Sequence, residues 1–466
     1  MMSSTSNQSF YPNKSPGLRY RTSLLQRTTN WREYAIGALL RVSGSEIPSC
    51  LRVFRNLEAT ATAQSIDDYQ RQRLLALLRH CHACVPYYRR LIEASGIDLT
   101  DDFTAGQLSR LPLLTKETIH EQGAALYSTD RAQRHPFENS SGGSTGKPVI
   151  FLQDRSFYAS SVVAAKFIYN EFLGKRPGEA EINLWGSQRD IERGNLGAKQ
   201  RAVNFLYNRR FQNFFLVDDR KLAGFVDEIN KCKPVSMWAY VESIDLLAKF
   251  IRRNRLVVHS PKFIVSTAGT LLPGIRETVQ EVFRCPVYNQ YGSRELGAIA
   301  FEMQDQNGLR GLPYLNYIEV VDGKVVVTSL TNYSMPFIRY EIGDTAEPWT
   351  TAQDPELGCR RKILKAVTGR LHSHFKTASG GLVHGLFFTH QFYFLNWVKQ
   401  FQVVQDRLEH ISCHIVPSDE PVTADMVLIR DRIRGVMGGS CDVDFHFTDR
   451  IAPSASGKHL YTISKV

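Results

Sequence analysis

Four polar, glycine-containing segments carry the residue types best suited to chemistry, and each lies near a strand-like run. The first is SSGGSTGKP at residues 140–148. Glycines bring backbone N–H groups close to a ligand, and hydroxyls and a lysine suit phosphate oxygens. The segment therefore predicts a phosphate-binding loop, with a purely structural glycine turn as the alternative. Its candidate binding residues are Ser141, Gly142, Gly143, Ser144, Thr145, Gly146 and Lys147.

Two familiar motifs compete for this loop, and both fit it poorly. A Walker loop has four residues between its glycines and a Ser or Thr after its lysine. Here three residues separate Gly142 from Gly146, and Pro148 follows Lys147. A hydrolase Gly-x-Ser-x-Gly elbow needs a strand before its serine and a helix after it. Polar HPFENS precedes this loop and strand-like VIFLQD follows it, so the order is reversed.

The second and third segments suit a nucleotide. In YGSRE, the aromatic face of Tyr291 can stack on adenine and the carboxylate of Glu295 can hold magnesium beside a phosphate, with Gly292 and Ser293 between them. In RYEIGD, Asp344 can accept hydrogen bonds from both ribose hydroxyls. Each segment taken alone is also typical of an ordinary turn at a strand end.

The fourth segment is SASGK, which ends at Lys458 near the C-terminus. A flexible loop that ends in a lysine suits a cation carried to a distant site. We therefore predict Lys458 as a catalytic cation, although a single lysine is more often a plain surface residue.

These segments need a scaffold, and the pattern of apolar residues predicts one. Predicted strands alternate with predicted helices: strand 181–185, helices 219–231 and 241–254, strand 261–267, helix 271–283 and strand 286–292. This alternation indicates α/β layers with a largely parallel sheet. A hairpin turning at Asp322-Gly323 follows. The last 95 or so residues hold strand-like and helix-like runs typical of a small α+β domain.

Composition and length restrict the class of protein. The chain has 466 residues, of which 43% are hydrophobic and 22% charged, so several domains are expected. No apolar run approaches the roughly 20 residues of a membrane span, and no signal-peptide core is present. Eight scattered cysteines fit reduced thiols in a cytoplasmic protein. The net charge of +11 fits anionic partners or a generally basic surface, and no basic run interleaved with aromatics favours nucleic acid.

In combination, the segments resemble the adenylate-forming superfamily of acyl-CoA ligases and related synthetases. That resemblance rests on SSGGSTGKP, YGSRE, RYEIGD, TGR and SGK in this order and at these intervals. Within the superfamily, the chain is similar to the branch of phenylacetate–CoA ligase, coenzyme F390 synthetase and CapK-type capsular-polysaccharide proteins. The narrower similarity covers residues 70–466 and rests on VPYYRRL, LPLLTKETI, LWGSQRDI, AGTLLPGIRE, VVVTSLTNYSMPFIRYEIGD and FQVVQ.

The resemblance implies a fold, an activity and residue roles. The fold is α/β, with a large multi-layer N-terminal domain of adenylate-forming type and a small mobile α+β C-terminal domain. The reaction is acid + ATP → acyl-AMP + pyrophosphate with Mg²⁺, followed by transfer to coenzyme A. Ser144, Thr145 and Lys147 would hold the β- and γ-phosphates. Asp344, helped by Arg370, would bind the ribose, and Lys458 would lie between the substrate carboxylate and the α-phosphate.

The implied domains are an N-terminal extension at 1–60, partly mobile, a large ATP- and acid-binding domain at 61–369, and a small lid domain at 370–466. In the superfamily this lid rotates about a hinge that usually has an acidic pair after Gly-Arg. Here Leu371-His372-Ser373-His374 stands instead, so His372 is the positional hinge candidate.

The altered hinge keeps other functions open. One is a degenerate nucleotide-binding or scaffold protein that no longer turns over. Another, allowed by the CapK similarity, is an adenylating enzyme that transfers the acyl group to a hydroxyl or amine in polysaccharide biosynthesis.

Two further patterns have a chemical and a structural interpretation. Trp185, Tyr240 and Gly269 are candidate acid-binding residues, although aromatic residues at such positions more often pack in a core. Cys81 and Cys84 have the spacing of a zinc-ligand pair. No second CxxC occurs in the chain and the pair lies on an apolar helical stretch, so core packing is expected.

Overall fold

The computed structural model describes residues 30–60, 62–140, 149–185, 198–214, 219–347, 350–353, 360–365, 367, 374–380, 382–392, 395–452 and 460–466. The helices of these segments are α1 (Trp31–Val42), α2 (Ile47–Thr60), α3 (Ala63–Cys84), α4 (Pro86–Ser95), α5 (Lys116–Gln122), α6 (Arg155–Phe157), α7 (Ala165–Phe172), α8 (Ala198–Leu206), α9 (Asp219–Cys232), α10 (Val241–Arg253), α11 (Pro273–Phe283), α12 (Gly385–Phe392) and α13 (Thr423–Met437). A π-helical stretch, Tyr158–Ala164, joins α6 to α7, and short 3-10 helices span Ala105–Arg110, Gly123–Leu126 and Arg131–Arg134. Among these described helices, none is long and apolar enough to cross a membrane.

The strands of the described segments are β1 (Phe137–Ser140), β2 (Ile150–Gln153), β3 (Glu181–Trp185), β4 (Arg209–Asn213), β5 (Ser236–Tyr240), β6 (Phe263–Thr267), β7 (Val287–Ser293), β8 (Gly297–Glu302), β9 (Leu309–Gly311), β10 (Asn316–Val321), β11 (Lys324–Ser329), β12 (Tyr340–Thr345), β13 (Thr350–Gln353), β14 (Arg360–Leu364), β15 (His374–Lys376), β16 (Leu382–His384), β17 (Val398–Arg407), β18 (His410–Pro417), β19 (Asp442–Phe447) and β20 (Thr462–Ser464).

The largest sheet in the described part of the chain has the order β13-β14-β9-β8-β7-β6-β5-β3-β4. From β4 to β7 neighbouring strands are parallel, because helices provide the crossovers between them. From β7 to β13 they are antiparallel. The expected α/β fold is confirmed, but the prediction of a largely parallel sheet is wrong for half of it. The three residues between β7 and β8 are too few for a crossover, so this connection must be a hairpin.

The central strands are buried on both faces, as helix-covered parallel strands are. Along β5 and β6 the side chains alternate between two cores. Met237, Ala239 and Ile264 pack with α10 and α11 on one face. Trp238 and Val265 pack with α2 and α7 on the other. This alternation fixes the register of the sheet, because a slip of one residue would exchange the two faces.

Helix α2 belongs to the second of these cores. Ile47, Leu51 and Phe54 are buried there, and the Phe54 ring stacks on Tyr314 with centroids 4.1 Å apart. Residues 47–60 therefore pack on the large α/β part.

The apolar helical stretch around Cys81 and Cys84 is α3, and it is followed directly by α4, with Pro86 as the first residue of the second helix. Proline is favoured there because the first helical N–H has no partner within the helix. The hairpin predicted at 318–330 is confirmed as β10 and β11, with Asp322 and Gly323 at positive φ in its turn. A small three-stranded sheet, β10-β11-β12, results.

A buried charge cluster braces the amino ends of β3 and β4. Glu181 accepts ion pairs from Lys166 at 2.7 Å, Lys175 at 3.3 Å and Arg209 at 3.2 Å. Burial by itself would raise the pKa of Glu181, but the three cations lower it overall. Burial lowers the pKa of Lys166 to about 8, in spite of Glu181. The carboxylate is therefore the counter-ion on which the cluster depends.

The C-terminal part has its own sheet, β19-β18-β17-β20, and its own core. Helix α13 packs Ile429, Ile433 and Met437 against this sheet. The predicted small α+β arrangement is confirmed. His410, near the start of β18, contacts Asp406 at 2.6 Å and Asp444 at 2.9 Å and so links β17, β18 and β19.

Candidate active site

The described candidate residues gather where the parallel strands end. β3, β5, β6 and β7 run in one direction, so their last residues lie along one edge of the sheet. These residues are Trp185, Tyr240, Thr267 and Ser293. In open α/β sheets, ligands bind outside the carboxyl ends of the strands. The fold therefore places the YGSRE segment and the tentative acid-binding residues along the same edge.

Tyr291 and Asp344 come from two different sheets and meet at this edge. The Tyr291 hydroxyl donates a hydrogen bond to Asp344 Oδ2 at 2.7 Å, across 53 positions of sequence. Both side chains are half-buried. An aromatic ring able to stack on a base and a carboxylate able to accept from ribose hydroxyls thus share one partly open site.

Glu295 lies in the turn between β7 and β8, and it is only 3% exposed. The Tyr340 hydroxyl donates to Glu295 Oε1 at 3.4 Å. The turn is tight, because a Cβ on Gly292 would collide with the carbonyl oxygen of Gly297, and Gly297 itself has a φ of 67°. The turn therefore fixes the carboxylate beside β12. A single carboxylate shared with nucleotide phosphates is a usual protein ligand for Mg²⁺, so Glu295 fits that role.

Gln153 joins the β1–β2 hairpin to this turn and was not among the residues predicted from sequence. Its Nε2 donates to the carbonyl oxygens of Arg294 at 2.6 Å and Glu295 at 3.4 Å, and its Oε1 accepts from Asn139 at 3.0 Å. One signal was available. Phe151 and Gln153 lie on the same, buried face of β2, and a polar residue in such a register needs a specific partner.

Asp154, the next residue, holds a second segment in place. One carboxylate oxygen accepts from the Phe157 N–H at 2.8 Å and caps α6. The other accepts from the N–H groups of Tyr333 at 2.9 Å and Ser334 at 3.1 Å. The segment that leads into β12, and so to Asp344, is thereby tied to β2.

At the ends of β3 and β5, the rings of Trp185 and Tyr240 lie 4.4 Å apart between centroids. They are the last residues of the adjacent strands β3 and β5. Thr267, at the end of β6, donates to Gln290 Oε1 at 2.6 Å, and Gly269 follows two residues later. The three tentative acid-binding residues therefore lie at the ends of neighbouring strands.

The other sequence-predicted site residues lie outside the described residues. They are Ser141, Gly142, Gly143, Ser144, Thr145, Gly146, Lys147, Arg370, His372 and Lys458. The two strands that flank the first of these groups are described, and they pair with Ser140 opposite Ile150. Through Gln153, that hairpin is anchored beside Glu295.

Sequence comparison finds a family domain in the C-terminal part and two named relatives of the longer chain. Residues 375–465 match the family model of the CapK C-terminal domain. Protein CapK of Staphylococcus aureus is 21% identical to the chain over 427 residues, which cover 89% of this chain and 92% of that protein. Phenylacetate-coenzyme A ligase of Thermus thermophilus is 25% identical over 312 residues, 61% of this chain and 66% of that enzyme.

Structural comparison finds a ligase with a similar fold. The crystal structure of 2-hydroxyisobutyryl-CoA ligase in the postadenylation state, in complex with 2-HIB-AMP, is 18% identical, with a TM-score of 0.68 over 88% of this chain and 91% of that chain. The same ligase in its thioesterification state, with 2-HIB-AMP and CoA, gives a TM-score of 0.56 over 88% of this chain and 92% of that one, also at 18% identity. The resemblance inferred from sequence is thus confirmed. The chain has the fold of the adenylate-forming ligases, with a C-terminal segment that matches the CapK C-terminal domain.

Proposed function

We propose that this protein activates a carboxylic acid with ATP as its acyl-adenylate and then transfers the acyl group to coenzyme A. One observation carries the proposal. Tyr291 contacts Asp344 and Tyr340 contacts Glu295, so the YGSRE and RYEIGD segments form a single site at the carboxyl edge of the sheet. This is the place and the set of groups that adenosine and a magnesium-bound phosphate need.

In this proposal Tyr291 packs on adenine, Asp344 binds the ribose with Arg370, and Glu295 binds Mg²⁺. Magnesium supplies charge that offsets the negative charge of the phosphates. The loop that contains Ser144, Thr145 and Lys147 holds the β- and γ-phosphates.

The chemical step is a displacement at phosphorus. A carboxylate oxygen of the acid bonds to the α-phosphorus, and the bond from phosphorus to the departing pyrophosphate oxygen breaks. Negative charge builds on the bridging oxygens, and Lys458 is proposed to offset it. Removal of one such preorganised group typically lowers kcat on the order of 10²–10³-fold.

The acid is proposed to lie against Trp185, Tyr240 and Gly269, beside the nucleotide. The domain division at 369/370, with His372 at the hinge, is part of the same proposal. It is supported by the match of 375–465 to one family domain and by the separate C-terminal core.

Coenzyme A is the proposed acceptor because structural neighbours bind both an acyl-AMP and CoA. The similarity to protein CapK keeps a hydroxyl or amine acceptor as the second candidate.

The test is pyrophosphate release from ATP over a panel of aromatic, fatty, hydroxy and amino acids. Lys458→Ala should lower the rate by on the order of 10²–10³-fold. Lys465→Ala, an exposed lysine on the same C-terminal segment, is the matched control and should keep the wild-type rate.

Release with one class of acid, lost only in Lys458→Ala, supports adenylation and identifies the class of substrate. Equal rates in wild type and Lys458→Ala would show that Lys458 is not a catalytic residue. If ATP raises the melting temperature but no acid on the panel releases pyrophosphate, the degenerate nucleotide-binding function is favoured.

A further inference from the structure

Three side chains able to ligate transition metals meet at the end of α3, outside the candidate active site. They are His80, Cys84 and Asp130, and one ligand atom from each lies within 4.8 Å of the others. His80 and Cys84 are four residues apart on α3 and so share a face of the helix. Asp130 comes from the segment that follows the 3-10 helix Gly123–Leu126. The cluster thus joins two separate segments.

The CxxC spacing pairs Cys84 with Cys81, and not with His80 and Asp130. Cys81 is fully buried in the apolar core, as expected for a packing residue. Cys84 is half-buried and lies on another side of the helix, with His80. Cys81 is therefore a core thiol, whereas the Cys84 thiol lies beside the polar side chains of His80 and Asp130.

Three oxygens surround His80 Nε2, two of them at hydrogen-bond distance. His80 Nε2 lies 3.1 Å from the Tyr333 carbonyl oxygen, 3.3 Å from Ser128 Oγ and 3.9 Å from Asp130 Oδ1. Ligand atoms in a tetrahedral zinc site, bound at about 2.0–2.3 Å, are roughly 3.3–3.8 Å apart. Small side-chain shifts would bring Nε2, Oδ1 and a sulfur to these distances, with a backbone oxygen completing the set.

The charges also suit a divalent cation. Arg134 donates to Asp130 Oδ2 at 2.8 Å, and Oδ1, which accepts from Ser128 Oγ, lies 3.9 Å from His80 Nε2. Ligating carboxylates are commonly held by such outer partners. A thiolate and a carboxylate together would neutralise a divalent ion.

We propose that His80, Cys84 and Asp130 form a structural zinc site, with the carbonyl oxygen of Tyr333 as the fourth ligand. Mixed nitrogen, sulfur and oxygen ligands favour zinc over Mg²⁺ or Ca²⁺, which take oxygen ligands. Because Asp154 already binds the N–H of Tyr333, the ion would clamp α3 to the segment that leads into β12. It would support the Asp344 strand without touching substrate.

The experiment measures metal directly and does not depend on activity. Full-length protein without a polyhistidine tag is purified without chelator, and its metal is quantified by inductively coupled plasma mass spectrometry. We expect about one zinc per chain, as for a closed structural site. After removal of zinc, Co²⁺ should produce a thiolate-to-cobalt charge-transfer band in the near ultraviolet. Cys84→Ser should abolish this band, whereas Cys232→Ser, at a half-buried cysteine outside the cluster, should keep it.

Two further variants distinguish loss of the metal site from a folding defect. Asp130→Asn should remove zinc binding, and Arg134→Gln, at the outer partner that also lies over the Tyr333 ring, should weaken it by about 10–100-fold. Zinc should raise the melting temperature of the wild type and of Cys232→Ser but not of Asp130→Asn. A wild type without zinc and without the cobalt band overturns the proposal. So does a Cys84→Ser variant that holds as much zinc as the wild type.

Discussion

The hydroxyl of Tyr291 orients the carboxylate of Asp344 within the candidate site. A donor at 2.7 Å fixes one oxygen of a half-buried carboxylate, so less side-chain freedom is lost when a ligand arrives. The same holds for Glu295, which accepts from Tyr340. At the scale of single residues, the candidate site is therefore preorganised by two tyrosine hydroxyls.

Tyr291→Phe should raise the KM for ATP by about two- to tenfold, because one hydrogen bond worth about 0.5–1.5 kcal/mol is lost while the ring remains. Initial rates over a range of ATP concentrations check this. Tyr34→Phe, at an exposed tyrosine on α1, is the control. An increase in the KM for the acid with that for ATP unchanged would contradict the assigned position of Tyr291.

At the scale of elements, two hairpins carry residues of the candidate site. The β7–β8 turn presents Glu295, and the β1–β2 hairpin carries the predicted phosphate-binding loop. Gln153 joins them through carbonyl oxygens, so the joint does not depend on the side chain of Arg294. A change in the geometry of either hairpin should therefore alter the position of the other.

Gly292→Ala should lower stability by about 1–3 kcal/mol, the usual cost of overpacking, since the new Cβ meets the Gly297 carbonyl oxygen. Adenylation should fall with it as Glu295 is displaced. Urea unfolding and pyrophosphate release check both effects. Gly224→Ala, in helix α9 with open space around its Cα, should instead be stabilising by about 0.5–1 kcal/mol. Equal behaviour of the two variants would refute the tight-turn argument.

Glu181→Gln should lower the free energy of unfolding by about 3–5 kcal/mol, because it leaves Lys166, Lys175 and Arg209 together without their counter-ion. Glu228→Gln removes one carboxylate from a more exposed pair with Arg210 and should cost at most about 1 kcal/mol. Urea denaturation of both variants separates the two cases. A loss below 1 kcal/mol for Glu181→Gln would show that the cluster is not needed for stability.

At the scale of the whole molecule, the C-terminal part contacts the large part through charges. Asp219, at the start of α9, binds Arg253 at 2.8 Å and lies 3.6 Å from Lys399 of β17. Both parts also line one crevice there, with Phe250 on one side and Leu395 on the other. An interface of this kind can be broken and remade, as the proposed function would require if the C-terminal part rotates between its two half-reactions.

Lys399→Ala should therefore change the ratio of pyrophosphate release to thioester formation by no more than about fivefold. A partly exposed ion pair contributes up to about 1 kcal/mol, and 1.4 kcal/mol is tenfold. Parallel assays of the two half-reactions measure the ratio, with Lys465→Ala as the control. A change well above tenfold would mean that this contact controls the position of the C-terminal part.

Local sequence was sufficient for several of the elements. The hydrophobic periods of α10 and α11, the Asp322-Gly323 turn and the C-terminal strands follow from short-range preferences that the fold does not override. The antiparallel half of the large sheet was missed because strand direction depends on the length and path of connections, and a run of apolar residues does not encode direction.

The residue types of the candidate site, their order along the chain and the family they resemble were determined by the sequence alone. The tertiary structure decided which of them meet: Tyr291 with Asp344, Tyr340 with Glu295, and Gln153 with the carbonyls of Arg294 and Glu295. It also separated Cys81 from Cys84 and placed Cys84 with His80 and Asp130. Chemistry of this kind depends on distances of a few ångströms between residues far apart in the chain, and only the packing of strands and helices sets those distances.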